Sequence, residues 1–354
     1  MKKYRLAVVG ATGLVGRTVL KVLEERKLPI DEYVLFASQK SAGEKILFMG
    51  KEHIVQELDE HSFDTGFDFA IFSAGGSTSK KYAPIAASKG CVVVDNSSAF
   101  RMDPSVPLII PEVNPEEIKS HHGIIANPNC STIQAVVALK PLEDLYKIKR
   151  IVYSTYQAVS GAGRAGVIDL ENGIKNYVTD LAYEENFESS EEIHNLSAYP
   201  TVQYELQKFP YPIFSNCLPH IDVFLENGYT KEEEKMINET RKILKRADLK
   251  ITATTVRVPV FNSHSESINV EFENDFELTE LISVLSNAPG IVVVDDPENL
   301  VYPLASTSTG KDQVFVGRIR RDDSVPYGIN LWVVADNIRK GAATNAIQIV
   351  EKMC

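Results

Sequence analysis

LAVVGATGLVG, at residues 6–16, is the stretch of sequence that decides the fold. Its leading apolar run predicts a buried β-strand, and its glycines, spaced G-x-x-G-x-x-G, lead into a helical segment at 18–25. A turn of this kind can hold a pyrophosphate, because the helix dipole and free backbone N–H groups both favour an anion. A tight turn without a ligand is the competing interpretation, since the commoner fingerprint is G-x-G-x-x-G.

Short apolar runs continue to alternate with helical segments up to about residue 130. This alternation predicts a Rossmann-type, doubly wound α/β domain with a parallel sheet. Beyond residue 150 the strands lengthen and alternate in polarity, which predicts an α+β domain. The segment 337–349 has helical spacing and is expected to return to the first domain. The strands predicted for the first domain are 6–9, 33–37, 69–72, 91–94, 108–110 and 124–126.

The bulk composition is that of a globular protein. With 354 residues, 44% of them hydrophobic and 24% charged, the chain can bury a large core and form about two domains. A formal net charge of −11 argues against a nucleic-acid or acidic-membrane surface. No apolar run is long enough to span a bilayer, and the start of the chain is interpreted as a β-strand instead of a signal peptide.

The cysteines are sparse and scattered, which predicts neither a disulfide framework nor a structural zinc site. We therefore expect a cytoplasmic protein with reduced thiols. His121-His122 and the pair Cys217 and His220 supply no complete ligand set, so no catalytic metal is expected. The four cysteines are Cys91, Cys130, Cys217 and Cys354.

Cys130 occupies the sequence NPNCST, residues 127–132, between an apolar run at 123–126 and a helix-like stretch at 133–139. This order predicts a strand, a turn, the cysteine and then a helix. A thiol at a helix N-terminus faces unpaired N–H groups, which favour the thiolate and are expected to lower its pKa. Thiolate is the form that attacks a carbonyl carbon. The alternative is a small buried cysteine at a strand end.

Ser38, Lys40 and Ser41 follow the second predicted strand, where an NAD enzyme usually has an acidic residue for the ribose hydroxyls. A lysine and two hydroxyls suit a 2′-phosphate better, so NADP is the expected cofactor. A solvated loop has the same composition. Further along, the acidic segment 167–195 is expected to be partly helical, as a solvated face, a lid or a subunit contact.

Several motifs in this order resemble those of the aspartate-β-semialdehyde dehydrogenase family, over almost the whole chain. They are GATG at 10–13, NSSAFR at 96–101, NPNCST at 127–132, YQAVSGAG at 156–163, RVPVFNSH at 257–264 and GAATNA at 341–346. The resemblance implies an NADP-binding domain formed by 1–129 with 333–354. It also implies a catalytic and dimerisation domain at 130–332, and a homodimer or tetramer.

The resemblance implies a thioester mechanism. Cys130 would attack L-4-aspartyl phosphate and release inorganic phosphate, and NADPH would reduce the thioester to L-aspartate-4-semialdehyde. His264 would be the acid/base residue, and Gln157 would orient the substrate. The product would serve the biosynthesis of lysine and diaminopimelate, threonine, methionine and isoleucine.

Arg257 matches the family's arginine for the substrate α-carboxylate, which a guanidinium can bind through two hydrogen bonds. Residues at an odd separation point to opposite faces of a strand. Arg257 and His264 can therefore share a pocket only if Pro259 or the turn at 262–263 bends the chain.

Three more charged residues match substrate-binding positions of the family. Arg101 would receive the phosphate, while Glu232 and Lys235 would contact the substrate ammonium and phosphate from one helical face. The residues expected to contact the cofactor are Gly10, Thr12, Gly13, Leu14, Val15, Ser38, Lys40, Ser41, Ser160, Gly161 and Asn337.

Two alternatives remain open from the sequence. N-acetyl-γ-glutamyl-phosphate reductase has the same chemistry and fold, but its cysteine usually lies in a Pro-Gly-Cys-Tyr-Pro context, unlike residues 127–132 here. A non-catalytic NADP-binding relative would have lost the thiol or its partners, whereas Cys130, Gln157, Arg257 and His264 are all present.

Overall fold

The computed structural model describes residues 3–184 and 205–354. Its first domain is built on a parallel sheet in the order β5-β2-β1-β6-β7-β8. The elements of this domain are β1 (Tyr4–Val9), α1 (Leu14–Arg26), β2 (Ile30–Ala37), β3 (Lys45–Phe48), β4 (Lys51–Ile54), β5 (Gln56–Glu57), β6 (Phe69–Phe72), α2 (Gly76–Ser88), β7 (Val92–Asp95) and β8 (Ile124–Ala126).

Strand β1 lies inside this sheet, between β2 and β6. Its residues Leu6, Ala7, Val8 and Val9 are completely buried, because both faces of the sheet are covered. The predicted Rossmann-type sheet is thus confirmed, and so is the assignment of the chain start to a strand. The hairpin of β3 and β4 and the short edge strand β5 were absent from the prediction.

The strand predicted at 108–110 is wrong. Only Leu108 forms a bridge, to Ala126 of β8. The side chain of Asn114 takes the place of a neighbouring strand: its Oδ1 accepts from the Ile110 N–H at 2.9 Å, and its Nδ2 donates to the Leu108 carbonyl at 3.0 Å. Because one side chain satisfies these backbone groups, the segment stays buried without extending the sheet.

The second domain is built on a mixed sheet in the order β10-β9-β11-β14-β13-β12, which confirms the α+β prediction. Strands β9 and β10 are parallel, and β11 runs antiparallel to both of its neighbours. Its elements are α3 (Cys130–Tyr146), β9 (Ile148–Gln157), α4 (Arg164–Glu184), α5 (Lys231–Leu244), β10 (Lys250–Arg257), β11 (His264–Phe272), α6 (Leu278–Asn287), β12 (Ile291–Val293), α7 (Ala305–Ser308), β13 (Val314–Asp322) and β14 (Gly328–Ala335).

Helices α3, α5 and α6 share one hydrophobic core with this second sheet. The predicted acidic helical segment corresponds to α4, and the part of it beyond Glu184 lies outside the described residues. Within the described ranges, no helix combines the length and the apolar character needed to cross a membrane.

After β14 the chain returns to the first domain through a π-helical turn, Arg339–Thr344, and a final helix, α8 (Asn345–Glu351). Ala343, Ala346 and Ile347 are completely buried in the same core as Val19 and Leu23 of α1. The predicted return of the C-terminal segment is therefore confirmed.

Candidate active site

A cleft of about 730 Å³ is lined by residues of both domains. Gly13, Leu14 and Val15 contribute to it from the start of α1, and Asn96 and Ser98 from the loop after β7. Further predicted residues that line this cleft are Arg101, Cys130, Gln157, Ser160, Gly161, Glu232, Lys235, Arg257 and Asn337. The fold thus gathers side chains that are up to about 320 residues apart in sequence.

Cys130 is the first residue of α3, as predicted, and Asn129 is the cap of that helix. The Asn129 Oδ1 accepts hydrogen bonds from the N–H groups of Ser131 at 2.9 Å and Thr132 at 3.2 Å. Asn129 is itself fixed by two carboxylates of α5: its N–H donates to Glu239 at 2.7 Å, and its Nδ2 to Glu232 at 2.8 Å. The position of the thiol is therefore tied to helix α5.

Gly341, in the π-helical turn, packs directly against the cysteine. A Cβ atom at Gly341 would lie 2.7 Å from the Cβ of Cys130 and 3.2 Å from its Cα. The C-terminal segment therefore forms one wall of the thiol site, at a position that only glycine can occupy. Sequence reasoning noted the GAATNA motif without assigning this contact.

The pKa of Cys130 differs from the prediction. Burial and the nearby Glu232 carboxylate raise it to about 12, although Arg257, Arg101 and the Ser131 N–H act to lower it. The expected lowering of the Cys130 pKa at the helix N-terminus is therefore wrong. Desolvation and the carboxylate of Glu232, on another helix, raise the Cys130 pKa by more than the helix N-terminus lowers it.

Arg257 and His264 converge even though their separation in sequence is odd. Arg257 ends β10 and His264 begins β11, and the intervening turn at 258–263 brings the two side chains together, as the sequence required. Arg257 lines the cleft, whereas the predicted acid/base residue His264 is completely buried and is not among the lining residues. A Cβ atom on Gly161 would lie 2.9 Å from Arg257 Nη1 and 3.1 Å from His264 Nε2. Both side chains therefore meet beside this glycine.

One backbone unit, Ala158, orients both of these side chains. Its carbonyl accepts a hydrogen bond from Arg257 Nη1 at 2.6 Å, and its N–H donates to His264 Nδ1 at 3.0 Å. Burial and the Arg257 charge lower the pKa of His264 well below its ordinary value. The ring is therefore neutral, and because Nδ1 accepts, the proton lies on Nε2, which has no protein partner among the described residues.

Glu232 lies between the thiol and the cationic residues. Its carboxylate accepts from Gln157 Nε2 at 3.4 Å and pairs with Lys235 at 3.1 Å. Lys235 also pairs with Asp222 at 2.7 Å. Burial acts to raise the pKa of Glu232, but Lys235, Asn129 and Arg257 together hold it below its ordinary value. The predicted i, i+3 pair is thus present, and it faces the cleft.

Arg101 is buried, and several of its N–H groups donate hydrogen bonds to other parts of the protein. Its guanidinium donates to Glu239 at 3.0 Å, to the Asn127 carbonyl at 2.9 Å and to the Asn96 carbonyl at 2.8 Å. A guanidinium has five N–H groups, so others remain for a ligand. Sequence reasoning missed Glu239, which occurs seven residues after Glu232 on the same buried face of α5.

The glycine-rich turn fits a dinucleotide. Gly10 has a φ of +87°, and a Cβ there would lie 2.6 Å from the Ser73 carbonyl oxygen. Helix α1 begins with Gly13 as its cap and no side-chain hydrogen bond, so its first N–H groups are free to bind phosphate. Thr12 lies half-buried in the same turn.

The remaining cofactor candidates lie in two places. Ser160 and Asn337 are buried beside the cleft and are hydrogen-bonded to each other, with Asn337 Nδ2 donating to Ser160 Oγ at 3.1 Å. Ser38, Lys40 and Ser41 lie at a 3₁₀ turn after β2 and do not line the main cleft. Lys40 is exposed there. No group of three or more metal-binding side chains occurs within residues 3–184 and 205–354.

Glu232→Gln is expected to increase the rate at which iodoacetamide alkylates Cys130 at neutral pH, by about 2- to 10-fold. Loss of the carboxylate charge removes one of the causes that raise the Cys130 pKa, so more thiolate forms. Glu234→Gln, two residues further along α5, is the control and should leave the rate unchanged. Peptide mass spectrometry reads the alkylation, and an unchanged or slower rate in Glu232→Gln would contradict the prediction.

The fold and the cleft together indicate a nicotinamide-dependent oxidoreductase with a cysteine in its candidate active site. Residues 5–121 match the family model described as "Semialdehyde dehydrogenase, NAD binding domain". Residues 139–340 match the one described as "Semialdehyde dehydrogenase, dimerisation domain", which supports a dimer.

The comparisons with individual proteins narrow this class. Aspartate-semialdehyde dehydrogenase of Aquifex aeolicus is 56% identical, over 98% of this chain and 97% of the relative. That of Bacillus subtilis is 47% identical, over 98% and 96%. The crystal structure of aspartate semialdehyde dehydrogenase II from Vibrio cholerae complexed with ASA superposes with a TM-score of 0.89 at 44% identity, covering 100% of this chain and 98% of that one. The chain belongs to the aspartate-semialdehyde dehydrogenase family.

Proposed function

We propose that this protein reduces L-4-aspartyl phosphate to L-aspartate-4-semialdehyde with NADPH, through a thioester on Cys130. The observation that carries the proposal is that this thiol lines the same cleft as the glycine-rich turn of α1 and Arg257. The thiol can thus meet a substrate and a nicotinamide ring in one cleft.

The first half of the reaction transfers the acyl group to the enzyme. Arg257 binds the substrate α-carboxylate, and Arg101 and Lys235 offer positive charge to the acyl phosphate. As the Cys130 sulfur bonds to the acyl carbon, the bond from that carbon to the phosphate oxygen breaks. The phosphate leaves with the electron pair and takes up the thiol proton, because burial and Glu232 raise the pKa of Cys130 and so favour the protonated thiol.

The second half releases the aldehyde. Bound NADPH would supply a hydride for the thioester carbon, and Ser160 and Asn337, which line the cleft, would hold the cofactor. The resulting hemithioacetal oxyanion expels the cysteine sulfur, which regains a proton from solvent. The Nε2–H of His264 lies beside Gly161, which lines the cleft. From there it would stabilise the oxyanion by donating a hydrogen bond. For the acid/base role expected from the sequence, the ring would have to give up the Ala158 N–H.

Further parts of the proposal concern the molecule as a whole. We infer a cytoplasmic homodimer or a tetramer built from dimers, with residues 1–129 and 333–354 binding NADP and residues 130–332 carrying catalysis and dimerisation. Support comes from the two separate sheets and from cysteines that are all unpaired. The product class is the aldehyde precursor of the aspartate-derived amino acids.

The proposed function is tested by reduction of NADP with L-aspartate-4-semialdehyde, with and without inorganic phosphate, followed by near-ultraviolet absorbance. Turnover that requires phosphate is the expected result. Turnover without phosphate would indicate simple oxidation of the aldehyde to the acid. No turnover in either case would overturn the substrate assignment and direct the test to N-acetyl-γ-glutamyl phosphate.

Lys40→Glu is expected to raise the Michaelis constant for NADP by roughly 10-fold or more and to change that for NAD much less. Lys40 lies exposed after β2, where the adenosine ribose of a Rossmann cofactor is bound. The substitution replaces a charge that attracts the 2′-phosphate by one that repels it. Lys51→Glu on β4 is a charge-matched control, and equal effects on both cofactors would contradict the assignment.

A further inference from the structure

Several buried polar atoms lie on α3 just after Cys130 and on strand β11 without a hydrogen-bond partner in the described part of the chain. Among the described residues, the buried side-chain atoms without a hydrogen-bond partner include Ser131 Oγ, Gln134 Oε1 and both carboxyl oxygens of Glu266. All three side chains are completely buried. Ser131 and Gln134 follow the cysteine on α3, and Glu266 follows His264 by two residues on β11. Buried groups of this kind require an explanation, because native interiors contain few of them.

Glu266 lies between the helix that carries the thiol and the strand that carries the imidazole. Alternate residues of a strand share a face, so Glu266 and His264 lie on the same face of β11. The Gln134 amide and the Ser131 hydroxyl approach the Glu266 carboxyl. Gln134 Nε2 also donates to the His264 carbonyl at 3.4 Å. The carboxyl group therefore connects the first turns of α3 with the strand of His264.

The surroundings of Glu266 favour a protonated carboxyl group. Tyr153 faces it from β9 and Glu232 from α5, and no cation forms an ion pair with it among the residues that the structure covers. Burial, reinforced by the Glu232 charge, raises the pKa of Glu266 well above its ordinary value. A protonated carboxyl group can donate to Gln134 Oε1 and still accept from Ser131, which would pair the orphaned atoms.

We propose that Glu266 is a positioning residue that acts as a neutral acid and fixes the turn of Cys130 relative to the strand of His264. Its neutrality matters because a second carboxylate besides Glu232 would oppose a thiolate on Cys130. The inference deepens the proposed function and rests on it for the catalytic effect, while the reactivity of the thiol is independent of any substrate.

The test compares Glu266→Gln, which keeps the shape without an ionisable group, with Glu266→Leu, which removes the hydrogen bonds. Glu266→Leu is expected to lower kcat by roughly 10- to 100-fold, with a smaller change in KM. Glu266→Gln should recover most of that loss. Glu271→Gln is the matched control, because Glu271 lies on the same strand and pairs with Lys149 at the surface.

Alkylation of Cys130 by iodoacetamide at neutral pH tests the charge state. At neutral pH a neutral Glu266 opposes the thiolate no more than a glutamine does, so Cys130 of Glu266→Gln and of the wild type should be alkylated at rates within about twofold of each other. Much faster alkylation of Glu266→Gln at neutral pH, or a Glu266→Gln variant as slow in turnover as Glu266→Leu, would overturn the proposal. The alkylation result remains valid even if Glu266→Leu fails to fold. If no variant turns over the semialdehyde, that result counts against the proposed function and not against the role of Glu266.

Discussion

Cys130→Ala is expected to abolish turnover, with a loss of about 10⁴-fold or more, while NADP binding stays within about twofold of the wild type. No other cysteine can replace the thiol: Cys91 is buried in the core of the first domain, and Cys217 and Cys354 are exposed and do not line the cleft. The measurement is phosphate-dependent reduction of NADP, together with cofactor binding by fluorescence titration.

Cys217→Ala is the matched control for the loss of one thiol and should turn over at the wild-type rate. Cys130→Ser provides a second comparison, because a serine keeps the size of the side chain but is a much weaker nucleophile at neutral pH. A wild-type rate in Cys130→Ala would refute the thioester mechanism. If Cys130→Ala lost NADP affinity to the same extent as turnover, the substitution would have damaged the cleft as a whole.

Gly341→Ala is expected to lower kcat by roughly 100-fold, although it adds a single methyl group. The new Cβ would lie 2.7 Å from the Cβ of Cys130, which is too close for any two carbon atoms that are not bonded. Relief requires the first turn of α3 or the π-helical turn to shift, and either shift changes the packing around the thiol. The measurement is kcat, with the melting temperature and NADP affinity recorded in parallel.

Gly76→Ala is the control for this substitution, because Gly76 starts α2 with no heavy atom within 4 Å of an added Cβ. Its kcat should equal that of the wild type. If Gly341→Ala retains a kcat within about twofold of the wild type, the contact with Cys130 does not fix the thiol position. A Gly341→Ala protein that melts normally but is slow would locate the effect at the thiol.

The fold could be predicted wherever local patterns determine it. The apolar run at 6–9 and the glycine turn after it specify a buried parallel strand and a helix start, and both were found. The segment at 108–110 has an equally apolar pattern, yet it is no strand, because the side chain of Asn114 satisfies its backbone. Such competition between a side chain and a strand ladder has no periodic signal in the sequence.

The candidate site was predictable as a set of residue types but not as an electrostatic environment. Cys130, Arg257 and His264 were identified from their motifs, and the turn between the last two allowed them to meet. The high pKa of Cys130 depends on burial and on Glu232, which comes from a helix about 100 residues away in the sequence. The role of Ala158 is performed entirely by its backbone, so its side-chain type gave no indication.

The return of the C-terminal segment to the first domain has a consequence for synthesis on the ribosome. Ala343, Ala346 and Ile347 complete the core that contains β1, and Gly341 closes the wall against Cys130. These residues are translated after all the strands of the second domain, so the first domain stays incomplete until the second domain has been synthesised. A ribosome stalled before α8 would therefore hold a chain in which Cys130 is already present but the pocket around it is not yet complete.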